Sequence, residues 1–405
     1  MKIQYVLLIL TAILISNLFF IPDVQAIPAF ARRYKISCST CHAPIPKLKP
    51  YGDDFAGAGF ILQEEEKSRD YISAGDDMLW LNKDFPIAAR FDAFALYDQN
   101  SNVESDLQTP FGLKLLSGGT LYKNIGYYFY FYMSERGKVA GIEDAYVHFD
   151  NIFSSTLDVM VGQFQTSDPL MKRELRLTFE DYQIYKSRVG GSVTNLTYDR
   201  GVMLVYSMAK TGTDVVGFIV NGNGKPESGD NRKFDQDKFK NWGLRINQGI
   251  DDFGSIGFYY YNGKEANVTW GDQFTNKISY MGPDISIGFG PLEFTGQYLL
   301  RTDSNPLFAN SVRDIKTTGI IGELTLSPHL DRSRWFLTAL YNRVTSDLDD
   351  HPNEMDSFGA SPLAYHSATL SGTYLISRNL RLVAEYTRDL ENDMNKLVIG
   401  MVSAY

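Results

Sequence analysis

"IAARFDAFALYD", residues 87–98, alternates in polarity: Ala89, Phe91, Ala93 and Ala95 fall on one face of a strand, Arg90 and Asp92 on the other. Such a sheet is either a half-exposed soluble one or the wall of a membrane barrel. Three features favour the barrel. Aromatic residues make up 14% of the chain and gather in runs such as "YYFYFYM" (127–133) and "FYYY" (258–261), as a belt at a membrane interface would require. Short turns alternate with long polar loops. The chain also ends on "KLVIGMVSAY" (396–405), where Leu397, Ile399 and Met401 share a face and the last residue is aromatic.

Extending the period-two pattern outward gives strands near 85–97, 109–117, 120–133, 139–149, 154–165, 199–208, 213–220, 240–248, 254–262, 276–287, 292–301, 315–326, 334–345, 364–375, 380–389 and 394–405. The fold class is therefore mainly β: an antiparallel transmembrane barrel of about 16 strands, an even number as bacterial barrels require. Tight connections at 117–120, 150–153, 209–212, 249–253, 288–291, 327–333 and 376–379 face the periplasm together with Tyr405. One connection, "TSDPLMKRELRLTFEDYQIYKSRVGGSV" (166–193), is too long for an ordinary loop. It is expected to fold into the lumen, bringing Met171, Lys172, Arg173 and Arg176 near anything held there; the alternative is a loop outside the barrel.

The first 83 residues have a different character. Lys2, the apolar run Tyr5–Phe20 and the small residues of Val24-Gln25-Ala26 read as a signal peptide over 1–26, with the mature chain starting at Ile27. The rival reading is a membrane anchor, but the run is short of the roughly 20 residues a spanning helix needs. Nothing later approaches an apolar helix of that length, so an α-helical membrane protein is excluded. Residues 27–83 form a small head and 84–405 the barrel.

The head holds both cysteines of the chain, in "RRYKISCSTCHAPIPKLKP" (32–50). Two cysteines in an exported protein would by default form a disulfide. Cys38-Ser39-Thr40-Cys41-His42 is more specific, since C-x-x-C-H is the attachment signature of one covalent c-type haem. One helical turn sets two thiols toward the two vinyl groups of a porphyrin and brings His42 to the iron as proximal ligand. A thioredoxin-type redox pair would need a βαβ unit around the motif, and the pattern has none. The sixth iron position is left open between Met78, a barrel or loop residue such as Met171, and no ligand. Leu48, Tyr51, Phe55 and Ala58 recur at helical spacing and predict a short helix that caps the macrocycle or packs on another core. Arg32, Arg33, Lys35, Lys47 and Lys49 make a cationic collar, for haem propionates or for solvent. The stretch 60–84, with Glu64-Glu65-Glu66, reads as a tether, and a head this small is expected to lodge in the barrel against Arg90 and Asp92.

Other patterns carry less. Asn195-Leu196-Thr197 is a chance match to a glycosylation triplet, and Gly222 and Gly224 lack the lysine and serine of a phosphate loop. His148, His329 and His366 read as isolated wall or turn residues. "DLDDHPNEMD" (347–356) reads as a solvated acidic loop, with cation capture the lesser alternative. No nucleophile–base–acid arrangement stands out, and a net charge of −9 gives no reason to expect nucleic acid.

A one-haem head on a porin-like body resembles the fused outer-membrane cytochrome–porins, the family that includes the iron-oxidising outer-membrane cytochromes of bacteria. The resemblance rests on "AIPAFARRYKISCSTCH" (26–42) with "PKLKPYGDDFAGAGF" (46–60), and more loosely on "GIEDAYVHF" (141–149) and "VGQFQTSDPL" (161–170). It implies a covalent haem on Cys38, Cys41 and His42 in the mouth or lumen of the barrel. It also implies electron flow between an extracellular donor such as Fe(II) and a periplasmic carrier such as a soluble cytochrome, with Fe(II) oxidase activity in prospect. No defined iron site is visible in the sequence. The expected function is thus outer-membrane electron transfer; the alternative is a solute-conducting porin whose haem head is a plug or sensor.

Overall fold

The computed structural model describes residues 29–405 apart from 63–70, 73–74, 77, 84, 168–170, 229, 231, 236, 252, 270–271, 311–312 and 353–360. The expected signal peptide and the Glu64–Glu66 tether lie outside the described residues. Among the described residues sixteen antiparallel strands close into one barrel. They are β1 Ile87–Asp98, β2 Ser105–Tyr122, β3 Ile125–Glu135, β4 Gly141–Ile152, β5 Leu157–Gln165, β6 Tyr198–Met208, β7 Thr213–Val220, β8 Asn241–Ile250, β9 Gly254–Thr269, β10 Asp272–Phe289, β11 Leu292–Asp303, β12 Ile315–Leu326, β13 Trp335–Ser346, β14 Tyr365–Ser377, β15 Leu380–Asp389 and β16 Met394–Ala404. Each pairs with its sequence neighbour, and β16 closes on β1 from Lys396↔Asp98 to Ala404↔Arg90.

The polarity of the wall is inverted relative to a water-soluble sheet. On β15, Leu382 and Tyr386 face outward while Arg381 and Glu385 are buried inside. On β16, Leu397, Ile399 and Met401 face outward, as their shared face predicted. Exposed apolar side chains over buried charges are stable only if the outside is lipid, so this is a membrane-spanning wall. At the short-turn end Tyr122, Tyr206, Phe253, Phe289, Trp335, Tyr374 and Tyr405 are exposed in a girdle. The two aromatic runs, however, do not belong wholly to that belt. Tyr130, Tyr132, Tyr259 and Tyr261 point into the lumen and are buried, because a period-two strand must send alternate rings of a continuous run inward.

Strand extents differ from expectation most at β2 and at the β9–β10 hairpin. Both continue past the predicted ends through polar residues such as Ser105, Asp106, Lys264 and Glu265. Backbone pairing there runs beyond the apolar band, so the polarity pattern that marks the membrane segment no longer reports it.

The lumen is filled from two directions. The long connection between β5 and β6 folds inward, as expected, through a 3₁₀ turn at Arg173–Leu175 and a helical turn at Gln183–Lys186. Ile184, Tyr185 and Leu196 from it pack with Tyr259, Tyr280 and Leu299 of the wall in one buried cluster. From the short-turn end comes the head, with α1 Ala29–Tyr34, α2 Cys38–Cys41 and α3 Pro50–Gly57. Phe30, Phe55 and Phe60 stack together, and Phe60 stacks on Tyr128 of β3 at 4.8 Å between ring centroids. Head and wall meet so closely that a Cβ on Gly126 of β3 would lie 2.2 Å from the Gly59 carbonyl oxygen.

Candidate functional site

The Cys38–Cys41 turn is built locally. Ser37 caps it, its hydroxyl accepting from the Ser39 N–H at 3.3 Å, and the His42 N–H donates to the Cys38 carbonyl at 2.9 Å to close the turn. The two cysteines, three residues apart, are half-buried and form no disulfide. Burial raises both thiols above their ordinary value, for Cys41 with the neighbouring Cys38 adding to the effect. Protonated thiols are the opposite of the lowered-pKa thiolate that a thioredoxin-type pair depends on.

After the turn the chain doubles back as a small hairpin, in which the Ala43 N–H donates to the Lys47 carbonyl at 3.2 Å and the Lys49 N–H to the Cys41 carbonyl at 2.8 Å. This places the Pro46 carbonyl 2.7 Å from Nδ1 of His42. A carbonyl can only accept, so the ring proton sits on Nδ1 and Nε2 is left with its lone pair. Burial also holds the imidazole below its ordinary 6.5, keeping it neutral. A neutral histidine whose second nitrogen is fixed by a backbone carbonyl is the usual form of a metal-ligating imidazole. Behind it α3 packs so tightly that a Cβ on Gly52 would stand 2.3 Å from the Cys41 carbonyl oxygen. Two free thiols on one turn and an oriented imidazole fit a covalent haem.

The head is tied to the barrel by charge. Lys47 pairs with Glu293 at 2.6 Å, Lys49 with Asp331, and Asp53 with Lys172 of the inward loop at 2.9 Å. Arg381 of β15 donates to the Ile45 carbonyl at 2.8 Å, and Arg32 to the Ile87 carbonyl. Lys47 and Lys49 of the collar, together with Arg32, therefore find partners in the wall, an outcome that neither expectation for the collar contained. The helix predicted from Leu48, Tyr51, Phe55 and Ala58 is α3, yet only Phe55 of that stripe is fully buried, packed on Phe30, Tyr34 and Phe60, while Tyr51 is exposed. Neither methionine considered for the sixth position is brought to this turn. Met78 is 93% exposed, and Met171 is buried in the lumen cluster with Phe164 and Tyr182.

Beyond the head, a cavity of about 200 Å³ remains between the inward loop and β1, β2, β15 and β16. Arg90, Asp92, Lys114, Arg173, Arg176 and Arg381 line it. Arg90 and Asp92 thus face the lumen as expected, but Arg173 and Arg176 of the loop line the cavity with them, and no described residue of the head does. Sequence reasoning missed Arg381 and Lys114, whose only signal was a charge at an inward position of a barrel strand.

No protein-family model matches the chain, and no curated protein matches it in sequence. In fold it is similar to the anion-selective porin from Comamonas acidovorans, at 10% identity over 80% of this chain and 99% of that one, with a TM-score of 0.56. It is likewise similar to the outer membrane channel DcaP of Acinetobacter baumannii, at 15% identity over 80% and 97%, TM-score 0.55. A third neighbour is OmpT, an outer membrane protein of Vibrio cholerae, at 13% identity over 79% and 98%, TM-score 0.53. At such identities the likeness is one of fold: the chain forms a closed sixteen-stranded porin-like barrel. None of these neighbours is described as a haem protein.

Proposed function

We propose that this protein is an electron conduit of the outer membrane, of the fused cytochrome–porin kind. The observation that carries the reading is His42, neutral and oriented by Pro46, following two unpaired thiols on one helical turn inside the mouth of a filled barrel. A haem held by Cys38, Cys41 and His42 would supply a one-electron iron couple at that place. The chain's own residues hold the site and shape access to it. Pro46 fixes the imidazole tautomer, while Lys47, Lys49 and Arg381 clamp the head against the wall. The inward loop closes much of the lumen to solutes, with Tyr185, Tyr259 and Tyr280 fully buried. A bilayer core of about 30 Å blocks electron exchange between a periplasmic centre and an outside donor, so seating the centre within a barrel shortens the gap. On this reading the donor, Fe(II) or another small reductant, approaches from the long-loop side and a soluble periplasmic cytochrome from the short-turn side.

The test is the visible spectrum of the protein in sealed proteoliposomes with Fe(II) added only outside. Reduction of the haem bands is expected; a spectrum that stays oxidised until a membrane-permeant reductant is added would refute the conduit.

A second reading, a solute-conducting porin with the head as plug or sensor, is favoured by the fold neighbours and by the cavity lining. There seven cationic side chains stand against four acidic ones, which suits small anions. Under that reading planar bilayers would show substantial anion conductance through the intact protein.

A further inference from the structure

We propose that His148, Asp150 and Asp158 form a binding site for a divalent first-row transition-metal cation at the periplasmic end of the β4–β5 hairpin. His148 and Asp150 face inward on β4, and Asp158 faces them from β5. One ligating atom from each lies within 4.8 Å of the others. The pairing runs His148↔Met160 and Phe149↔Val159, then slips to Ile152↔Leu157, so β4 carries one extra residue at Asp150–Asn151. That bulge re-aims Asp150 toward the same space as the other two.

Two features point to a ligand beyond the mere nearness of acids. His148 is 2% exposed, and neither of its ring nitrogens has a hydrogen-bond partner among the described residues. The Gly57 backbone of the head is close enough to influence the ring, but not in hydrogen-bonding geometry. A buried imidazole left this way loses its hydration without compensation unless something binds it. The carboxylates, for their part, are held by one residue. The Asn151 N–H donates to Oδ1 of Asp158 at 2.8 Å and the Asn151 side-chain amide to Oδ2 of Asp150 at 2.8 Å. Asn151 thus holds the two carboxylates side by side, and a dication between them relieves their mutual repulsion.

The donor set selects the ion class. One imidazole with two carboxylates suits Mn(II), Fe(II), Co(II) or Zn(II); Ca²⁺ and Mg²⁺ prefer oxygen alone, and Cu(I) prefers sulfur. Metal–ligand bonds of about 2.1 Å put donor atoms about 3.0–3.4 Å apart, so side-chain rotations of roughly an ångström complete the site. The head closes over it, since a Cβ on Gly59 would sit 3.1 Å from Cδ2 of His148.

Mn(II) is the probe, because it avoids the thiols of Cys38 and Cys41. Free Mn(II) is counted by electron paramagnetic resonance on the full chain in detergent, and ¹⁴N modulation reports imidazole coordination. One bound Mn(II) with nitrogen coupling is expected. His148→Ala should abolish the coupling, and it and Asp158→Asn should each weaken binding at least about tenfold, since even indirect support of a metal ligand is worth that much. Barrel integrity is checked by heat-modifiable migration, and if His148→Ala fails it, Asp158→Asn decides. Absence of binding up to millimolar Mn(II), absence of nitrogen coupling, or unchanged affinity in Asp158→Asn overturns the proposal.

Discussion

Replacing Arg301 by methionine should release the inward loop from the wall. Arg301 lies on β11 with no exposed surface. Its guanidinium grips Asp303 through Nε at 2.6 Å and Nη2 at 2.8 Å. Its other bonds reach the Ser187 carbonyl at 3.1 Å, the Thr194 carbonyl at 2.9 Å and the Ser192 hydroxyl at 2.8 Å on the loop, and the Tyr280 hydroxyl of β10 at 2.7 Å. Methionine fills a similar volume but leaves Asp303 buried without its guanidinium, and among the described residues the Asn276 amide is the side-chain donor left to it, at 2.8 Å. Removing one partner of a buried pair costs about 3–5 kcal/mol. Because the loop's bonds go with it, most of that cost falls on loop docking. At 1.4 kcal/mol per tenfold, the undocked population rises by roughly two to three orders of magnitude. Limited trypsin digestion in detergent reads this directly, since cleavage after Lys186 and Arg188 follows the population of the open form. Arg301→Lys keeps the charge without the fork and should fall between. If Arg301→Met keeps its heat-modifiable barrel and is cut at the wild-type rate, Arg301 does not pin the loop.

Three further outcomes are expected. Cys41→Ser should abolish haem-dependent peroxidase staining at the full-length band of a denaturing gel; staining as strong as wild type would exclude covalent attachment at the Cys38–Cys41 turn. In planar bilayers the intact chain should be nearly closed, and a chain lacking residues 27–83 should conduct several-fold better; equal conductance would mean that the head does not occlude the lumen. In the haem-free protein the His42 ring, identified by its loss in His42→Gln, should titrate below 6.5 by ¹³C-histidine NMR, since burial favours the neutral form. The folded state then binds fewer protons than the unfolded one, so the contribution of His42 to stability is present above 6.5 and is lost as the pH falls. A midpoint at or above 6.5 would contradict the burial.

What the sequence discloses depends on whether a feature has a local period. The barrel was legible because outward and inward residues alternate along each strand, and the same alternation located Arg90 and Asp92 inside. The pattern stopped reporting where strands leave the apolar band, as at Lys264 and Glu265, and where every position is aromatic, as from Tyr127 to Tyr132. Haem attachment at the Cys38–His42 turn is what its spacing leads us to propose, and the turn was legible as a turn because its five residues are local. Its support was not: the partner of His42 is a backbone carbonyl, which no residue type announces. The acids that hold the head, Glu293 and Asp331, lie more than 240 residues along the chain from Lys47 and Lys49. In sequence His148 reads as an isolated wall residue for a related reason. Its neighbours Asp150 and Asp158 meet it only through the β4–β5 register and a bulge, which follow from pairing and not from spacing.

The two functional readings ask different things of one lumen. A solute must pass through connected space, whereas an electron needs only short distances between centres through packed matter. On the β9–β12 side the lumen is solid with Tyr259, Tyr280 and the inward loop. On the other side the cavity ends at Arg381, which is itself bonded to Ile45 of the head. Ile45 in turn packs on Leu177 of the loop and on Phe336 and Leu375 of the wall. Loop, head and wall therefore interlock at a single point, and a solute on this route would have to unseat the head at a cost spread over Lys47–Glu293, Lys49–Asp331 and Lys172–Asp53 as well. Exposed pairs of this kind are each weak, about 0–1 kcal/mol, but they would have to open together with the Ile45 packing. A wall that invests charge pairs in holding a plug at its mouth is built to keep the plug there, which suits a resident centre better than a gate.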